Sequence, residues 1–525
     1  MRRIKLVVAV LLAALAASPG RSVAADKPDI VIIMVDDMGF SDVGCYGSEI
    51  DTPHLDRLAA GGLRFTQFYN TGRCCPTRAA LLTGLYPHQA GMGHMTDDFG
   101  SPAYQGHLSD RCVTIAQALK PAGYFTAVSG KWHVGSAQEH WPRRRGFDRF
   151  YGIPEGGGHH YRMLPGRHLV IDDEAIDVPR GWYSTTAFTD YALTFLDEGA
   201  KSGKPIFLYV PYTAPHWPLQ APAEAIARYR GKYQAGWQAV RAARFERQTA
   251  MGLLPGTKLS PLDPQTPDWA SLKNADEMDL RMATHAAMVS LVDQGVGRIV
   301  EKLRQLGRLD NTLILFLSDN GASAESGPTG FANAKRGDPK ARTGTPDSYV
   351  SFGVAGANAC DTPFRKYKMF SHEGGIATPL IAHWPAGIGA PLRGTFARTP
   401  GHVVDLMPTC LALAGAEYPK QHDGREVAPA AGRSLVPALH AQAMDRPEGL
   451  FWEHQGNAAV RLGDWKLVRL HGKPWELYDL SSDRTELNDL AKEQAGKVEE
   501  LKKLYQAWAG RSGVLPWPVK KNKKQ

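Results

Sequence analysis

Short, unbroken runs of apolar residues recur along this chain, and each stops abruptly at a polar cluster. Asp29 to Val35 (Asp-Ile-Val-Ile-Ile-Met-Val) shows no polar alternation after its first residue and ends at Asp36-Asp37. That pattern suits a strand covered on both faces, as in a parallel sheet flanked by helices. Tyr124 to Val128 runs into Ser129-Gly130-Lys131-Trp132-His133. Ile206 to Val210 leads to Pro215-His216, and Thr312 to Leu317 to Ser318-Asp319-Asn320-Gly321. Phe65 to Tyr69 and Leu380 to Trp384 are further strand candidates. Helical patterns fall between them at Thr52 to Ala60, Thr114 to Lys120, Thr185 to Leu196, Met282 to Leu306 and Val403 to Ala414. In the long one, Met288, Leu291, Val292 and Val296 form one stripe. Strands alternating with helices predict an α/β fold.

The texture changes near Pro419. Ala458 to Leu462, Trp465 to Leu470 and Trp475 to Leu480 are short, with alternation or aromatics, and predict a small antiparallel sheet. Ala491 to Trp508 then reads as a helix. The expected division is a segment 1–25 set apart, a large domain over 26–419 and a C-terminal subdomain over 420–525. Three stretches resist periodic reading: 151–183 as a long loop, 222–279 as an insertion, and 322–359 as a Gly/Ser/Asn-rich loop.

Residues 1–25 change the picture of charge and location. Arg2-Arg3-Ile4-Lys5 followed by apolar Leu6 to Ala17 and small residues at Ser22-Val23-Ala24-Ala25 reads as a secretory signal. The apolar run is shorter than a spanning helix needs. The expectation is an exported protein, periplasmic or secreted, with no membrane partner after cleavage. The formal net charge of +8 comes from four basic residues in that segment and from Lys520, Lys521, Lys523 and Lys524 at the other end. The body is therefore near neutral and gives no case for nucleic-acid binding. Six cysteines in 525 residues are too few for a disulfide scaffold.

Candidate chemistry gathers at the polar ends of the strand runs and in Arg73 to Leu85. There Cys74-Cys75-Pro76 precedes an apolar helical run closed by Thr83-Gly84. Pro76 suits a first helical turn, which would put both cysteines just before a helix N-terminus. Free N–H groups and the helix dipole favour an anion there, and Arg78 adds a fixed charge. In open α/β sheets, sites form outside the carboxyl ends of strands. Four such ends carry Asp36-Asp37, Lys131 with His133, His216, and Asp319-Asn320. Each alone is an ordinary turn or surface group. Together the oxygen donors Asp36, Asp37, Asp319 and Asn320 suit a hard cation such as Ca²⁺ or Mg²⁺. Arg78, Lys131, His133, His216 and Lys368 supply the donors expected around an oxyanion.

These residues resemble a known family. Cys74-Cys75-Pro76-Thr77-Arg78 with Leu82-Thr83-Gly84 is similar to the Cys-x-Pro-x-Arg…Thr-Gly signature of formylglycine-dependent (type I) sulfatases. The likeness continues through Asp36-Asp37, Gly130-Lys131-Trp132-His133-Val134-Gly135, Pro215-His216 and Ser318-Asp319-Asn320-Gly321. It then runs on through Lys368…Glu373-Gly374-Gly375, Gly463-Asp464-Trp465-Lys466-Leu467 and Glu476 to Leu480. It spans about Pro28 to Leu490 and most resembles bacterial arylsulfatases. Thr77 departs from the commonest serine, and Ala377-Thr378 from a frequent Arg-Val.

The resemblance implies an alkaline phosphatase-like fold: a large mixed, mostly parallel sheet sandwiched by helices, with a smaller C-terminal α+β subdomain. It implies a sulfuric ester hydrolase, an arylsulfatase. The alternatives are a carbohydrate sulfatase, a phosphonate monoester or phosphodiester hydrolase, or an inactive binding protein on the same fold. Cys74 would be oxidised to Cα-formylglycine by a formylglycine-generating enzyme, with Cys75 a bystander. Asp36, Asp37, Asp319 and Asn320 would hold one Ca²⁺, joined by residue 74. Arg78 and Lys131 would hold the hydrated aldehyde, His133 would contact its second hydroxyl, and His216 and Lys368 would face the sulfate and the leaving oxygen. One hydroxyl of the hydrate would attack sulfur, with Asp319 as base, and His133 would then deprotonate the other so that sulfate leaves.

Overall fold

A computed structural model describes residues 27–520, so the expected signal segment lies outside the described residues. The centre of the fold is an eleven-stranded mixed sheet. Its strands are β1 (Asp29–Asp36), β2 (Leu63–Tyr69), β3 (Phe125–Lys131), β4 (Arg149–Ile153), β5 (Leu169–Ile171), β6 (Glu174–Ile176), β7 (Ile206–Pro215), β8 (Thr312–Ser318), β9 (Ala377–His383), β10 (Thr395–Ala397) and β11 (Gly401–His402). The order is β10-β2-β9-β8-β1-β7-β3-β4-β5-β6, with β11 also on β2. The run β8-β1-β7-β3-β4 is parallel throughout.

Hydrophobicity on both sides of β1 explains its central place. All eight of its residues are buried. Val31, Ile33 and Val35 enter one core, and Ile30, Ile32 and Met34 enter the core on the opposite face. A strand alternates its side chains between faces, so an unbroken apolar run needs a layer on each. Burial of each large side chain stabilises the fold by roughly 1.5–3 kcal/mol. Helices Ser184–Lys201 and Ala275–Gln305 pack together against β7.

Several segments differ from expectation. Helix Cys74–Thr83 starts two residues earlier than expected, so Cys74 and Cys75 lie in its first turn instead of before it. Arg73, in extended backbone, is the cap, and Pro76 still falls where no intrahelical N–H bond is lost. The 151–183 stretch is not all loop: β5 and β6 form a hairpin that extends the sheet. The 222–279 stretch contains the helix Gly236–Ala250, whose Arg244 is buried against Asp42 at 2.7 Å and Glu49 at 2.8 Å. Charged residues on its inner face hid it from a hydrophobic reading. A helix, Gly353–Cys360, also closes the 322–359 stretch; its Gly/Ala-rich sequence carries no clear stripe. All six cysteines are buried and free. Among the described residues no helix is long and apolar enough to cross a membrane.

The expected C-terminal antiparallel sheet has four strands: Leu450–His454, Asn457–Leu462, Trp465–Arg469 and Glu476–Asp479. The first was missed because it is short and wholly buried. A buried ionic network ties this sheet to the segment before β9. Glu373 accepts from Lys466 at 2.8 Å, Arg484 at 2.8 Å and the Tyr69 hydroxyl at 3.0 Å. Lys466 also meets Glu486 at 2.8 Å. Burial pushes the Glu373 carboxyl up, but Lys466, Arg484 and Arg461 outweigh it and hold it at about 2.

Lys466→Met should therefore destabilise the protein by roughly 3–5 kcal/mol, because it leaves buried carboxylates short of a partner; an unchanged midpoint in urea would refute the role of this network. The sign of the pH dependence follows. Glu373 has a depressed folded value, so its stabilisation is complete above the ordinary glutamate value of 4.5 and fades as pH falls toward about 2. Acid melts of the wild type should show that fade, and Glu373→Gln should flatten it.

Candidate active site

The parallel register brings the four polar strand ends together. Asp36 on β1 stands opposite Pro215 on β7, one residue before His216, and Val35 stands opposite Ser318 on β8, one residue before Asp319. Beyond β7 lies β3, which ends at Lys131. The expected residues Asp36, Asp37, Arg78, Lys131, Asp319, Asn320 and Lys368 are all within 3% of full burial. Asp37 and His133 take left-handed backbone angles, φ 68° and φ 62°. Such angles are unfavourable for residues with side chains, and both occur where the chain leaves a strand to enter the site.

The charges interlock. Lys131 Nζ donates to Asp36 Oδ2 at 2.5 Å. Arg78 donates to Asp319 Oδ2 from Nε at 3.1 Å and Nη2 at 2.7 Å, and to the Lys131 carbonyl from Nη1 at 2.9 Å. Lys368 Nζ lies 2.7 Å from Asp37 Oδ1, and His216 Nε2 lies 3.4 Å from Asp37 Oδ2. Asn320 Nδ2 donates to Asp37 Oδ1 at 2.7 Å. Gly321 packs against the Glu373-Gly374-Gly375 turn, where a Cβ would come within 2.0 Å of the Gly374 carbonyl. Thr77 does what a serine would: its hydroxyl accepts from Thr71 N at 3.0 Å.

Two of the four candidate metal ligands have an oxygen left over. Asp36 Oδ1 and Asn320 Oδ1 are buried with no hydrogen-bond partner. Donor atoms of Asp36, Asp37 and His216 also lie within 4.8 Å of one another. A donor set of carboxylate and amide oxygens fits a hard cation. The electrostatics agree with that fit. Burial and then the neighbouring Asp36 charge push Asp319 well above the ordinary carboxylate range. For Asp36, burial acts upward, but Lys131, His216 and Arg78 hold it below that range. Two carboxylates so close need more positive charge to ionise together.

Cys74 faces the cations. Its thiol is held well below its usual range by a hydrogen bond from Cys75 and, against burial, by Lys131 and His133. An anionic atom is therefore stabilised at this position. Burial and the Cys74 charge push Cys75 the other way. His133 is lowered to about 4 by burial and by Lys131, which leaves a neutral imidazole at neutral pH. Burial works against the charge on Lys368, but Asp37 and Glu325 raise it above the usual lysine range.

A cavity of about 160 Å³ opens onto Cys74, Lys131, His133, His216 and Lys368. Its wall also includes Arg73, Trp217, Glu325, Arg336 and Tyr349, which the sequence reading did not single out. Arg73 pairs with Glu325 at 2.8 Å, and Trp217 Nε1 donates to Glu325 at 2.9 Å. These residues come from loops, where no period marks a functional position; only the place of Arg73 beside Cys74 could have flagged it.

Comparison with known proteins gives this geometry its class. The sulfatase family profile matches residues 28–416, and a profile described as N-sulphoglucosamine sulphohydrolase, C-terminal, matches 364–508. The chain is 34% identical over 538 residues to an uncharacterized sulfatase of Schizosaccharomyces pombe, covering 94% of this chain and 95% of that protein. It is 33% identical over 428 residues to an arylsulfatase of Klebsiella aerogenes, covering 78% and 91%. The solved structure of Ps i-CgsB in complex with k-i-k-neocarrahexaose superposes with a TM-score of 0.69 at 28% identity, covering 92% of this chain and 93% of that one. The chain belongs to the sulfatase family and is a sulfuric ester hydrolase.

Arg78→Met should both disable the enzyme and lower its stability, by roughly 3–5 kcal/mol, because it strips the buried Asp319 of its partner. Paired turnover and thermal-melt measurements check this; a variant as active and as stable as wild type would contradict the charge balance described.

Proposed function

We propose that the protein is an exported, formylglycine-dependent sulfatase of arylsulfatase type that holds one Ca²⁺. It would cleave sulfate monoesters to an alcohol or phenol and inorganic sulfate. The observation that carries this reading is the position of Cys74: in the first turn of a helix, facing Lys131 and His133, and within electrostatic reach of the buried Asp36 and Asp319. Asp36, Asp37, Asp319 and Asn320 would hold the cation, joined by the side chain at 74. With both groups in place, the cation would supply Lewis-acid charge and the aldehyde at 74 a hydrated oxygen nucleophile.

The chain's own residues do the remaining work. Arg78 and Lys131 hold Asp319 and Asp36 in place and keep negative charge acceptable at residue 74. Neutral His133 can accept a proton from the group at 74, and donor atoms of the two lie within 4.8 Å. His216 and protonated Lys368 line the cavity on the side of Asp37 and can give a proton to the leaving oxygen. The likeness to the Klebsiella aerogenes arylsulfatase supports aryl sulfates as substrates. The superposition with a structure bearing a neocarrahexaose supports the second reading, a carbohydrate sulfatase. Export is supported by the charged, apolar and small-residue pattern of residues 1–25.

Cys74→Ala should abolish sulfate release, and Cys75→Ala should keep much of it. Mass spectrometry of the wild-type peptide spanning residue 74 should show an aldehyde in place of a thiol. Equal activity in the two variants, or an unmodified thiol in fully active enzyme, would overturn the assignment. Asp319→Ala should lower bound calcium and kcat together, read by metal analysis and turnover. A kcat/KM greater for aryl phosphodiesters than for aryl sulfates would move the protein to the phosphorus-ester reading.

A further inference from the structure

Outside the reaction centre, one arginine on the cavity wall has a side-chain donor with no partner. Arg167 Nη1 is shut off from solvent and has no hydrogen-bond partner. The other arginines nearby are engaged: Arg73 is matched by Glu325 at 2.8 Å, and Arg336 Nη1 donates to the Tyr349 hydroxyl at 3.1 Å. Arg167 and Arg336 line both the 160 Å³ cavity and a larger recess of about 830 Å³ outside it. The recess adds Arg162 and Lys335. Among its described lining residues the only acid is Glu155, and His168 takes up that carboxylate through Nδ1 at 2.6 Å and its backbone N–H at 3.1 Å. Four cations thus face one committed carboxylate.

Two successive glycines place this cluster beside the reaction centre. A Cβ on Gly157 would lie 3.4 Å from Asp36 Oδ2 and Lys131 Nζ, and one on Gly158 would lie 3.6 Å from Cδ and Nε of Arg167. The α-carbons of neighbouring residues are ~3.8 Å apart. Both glycines line the smaller cavity, and side chains there would crowd Lys131 and Arg167. The recess has the volume of an ordinary small-molecule site. Arg167 is half-buried and lines both spaces, and a planar guanidinium is suited to a bidentate oxyanion.

We propose that Arg167, with Arg336, forms a second oxyanion subsite, so that the natural substrate carries another sulfate or carboxylate next to the sulfate ester that is cleaved. A sulfated oligosaccharide with two anionic groups on the same or adjacent rings fits that chemistry. The inference rests on the sulfatase reading of the centre and adds to it a substrate class. Simple aryl sulfates reach the centre without using this subsite.

Four substrates test it: 4-nitrophenyl sulfate, a neutral monosulfated disaccharide, a disulfated disaccharide, and a monosulfated disaccharide with a uronate. Arg167→Gln should lower kcat/KM on at least one of the two dianionic sugars by about 10- to 100-fold, mainly through KM, and on the two monoanions by no more than about threefold. Arg336→Gln should also lower kcat/KM on the dianionic sugars, and Arg167→Lys should restore part of the Arg167→Gln loss. The dianion that suffers more identifies sulfate or carboxylate as the second group. Equal losses on all four, or none on any, in an otherwise active enzyme would overturn the subsite alone. A wild type that releases sulfate from none of the four overturns the sulfatase reading of the centre and this inference with it.

Discussion

Three carboxylates, Asp36, Asp37 and Asp319, sit together in the interior, each with at most 2% of its surface exposed. Like charges at such depth repel and are poorly solvated. The site exists because fixed cations meet them one by one: Lys131 at Asp36, Arg78 at Asp319, Lys368 at Asp37. Those cations come from the end of β3, from the first helix turns after β2 and from the loop before β9. The charge balance therefore depends on the whole sheet holding its register. Three cations match three carboxylates in number, yet oxygens of Asp36 and Asn320 have no partner. A hard cation is the group whose ligand preference matches what is left.

The same logic extends into the C-terminal sheet. Glu373 precedes the Gly374-Gly375 turn that receives Gly321, and it is locked by Lys466 and Arg484. Sequence motifs near residues 463–467 and 373–375, far apart in the chain, are thus two sides of one buried ion network. Their role is positional: they hold the turn against which the Asp319-Asn320-Gly321 strand end packs. Reaction chemistry and C-terminal packing are linked through that contact.

The parallel core was legible because a strand buried on both faces must be continuously apolar, and β1, β7 and β8 are. The site was legible because polar residues that end such strands converge once the strands are neighbours. Arg78, Lys131 and Asp319 stand where that argument, helped by the family likeness, put them, although their roles in turnover are part of the proposal. What escaped was structure whose cause lies in partners distant in sequence. The helix Gly236–Ala250 hides behind Arg241 and Arg244, which are buried only because Ser260, Asp42 and Glu49 receive them. Trp217, Glu325, Tyr349 and Arg167 sit on loops, and their meaning arises from the cavity they close. Helix starts shift by a residue or two because a cap such as Arg73 depends on backbone geometry, which composition does not encode.

We propose that interior carboxylates at parallel strand ends form a cation-centred site for sulfate ester hydrolysis. Its most direct measurement is sulfate release from an aryl sulfate by the purified protein, before and after calcium is removed with a chelator and then returned. Turnover should vanish with the metal and come back with added Ca²⁺. Full activity in protein shown by metal analysis to be free of divalent cations would contradict it.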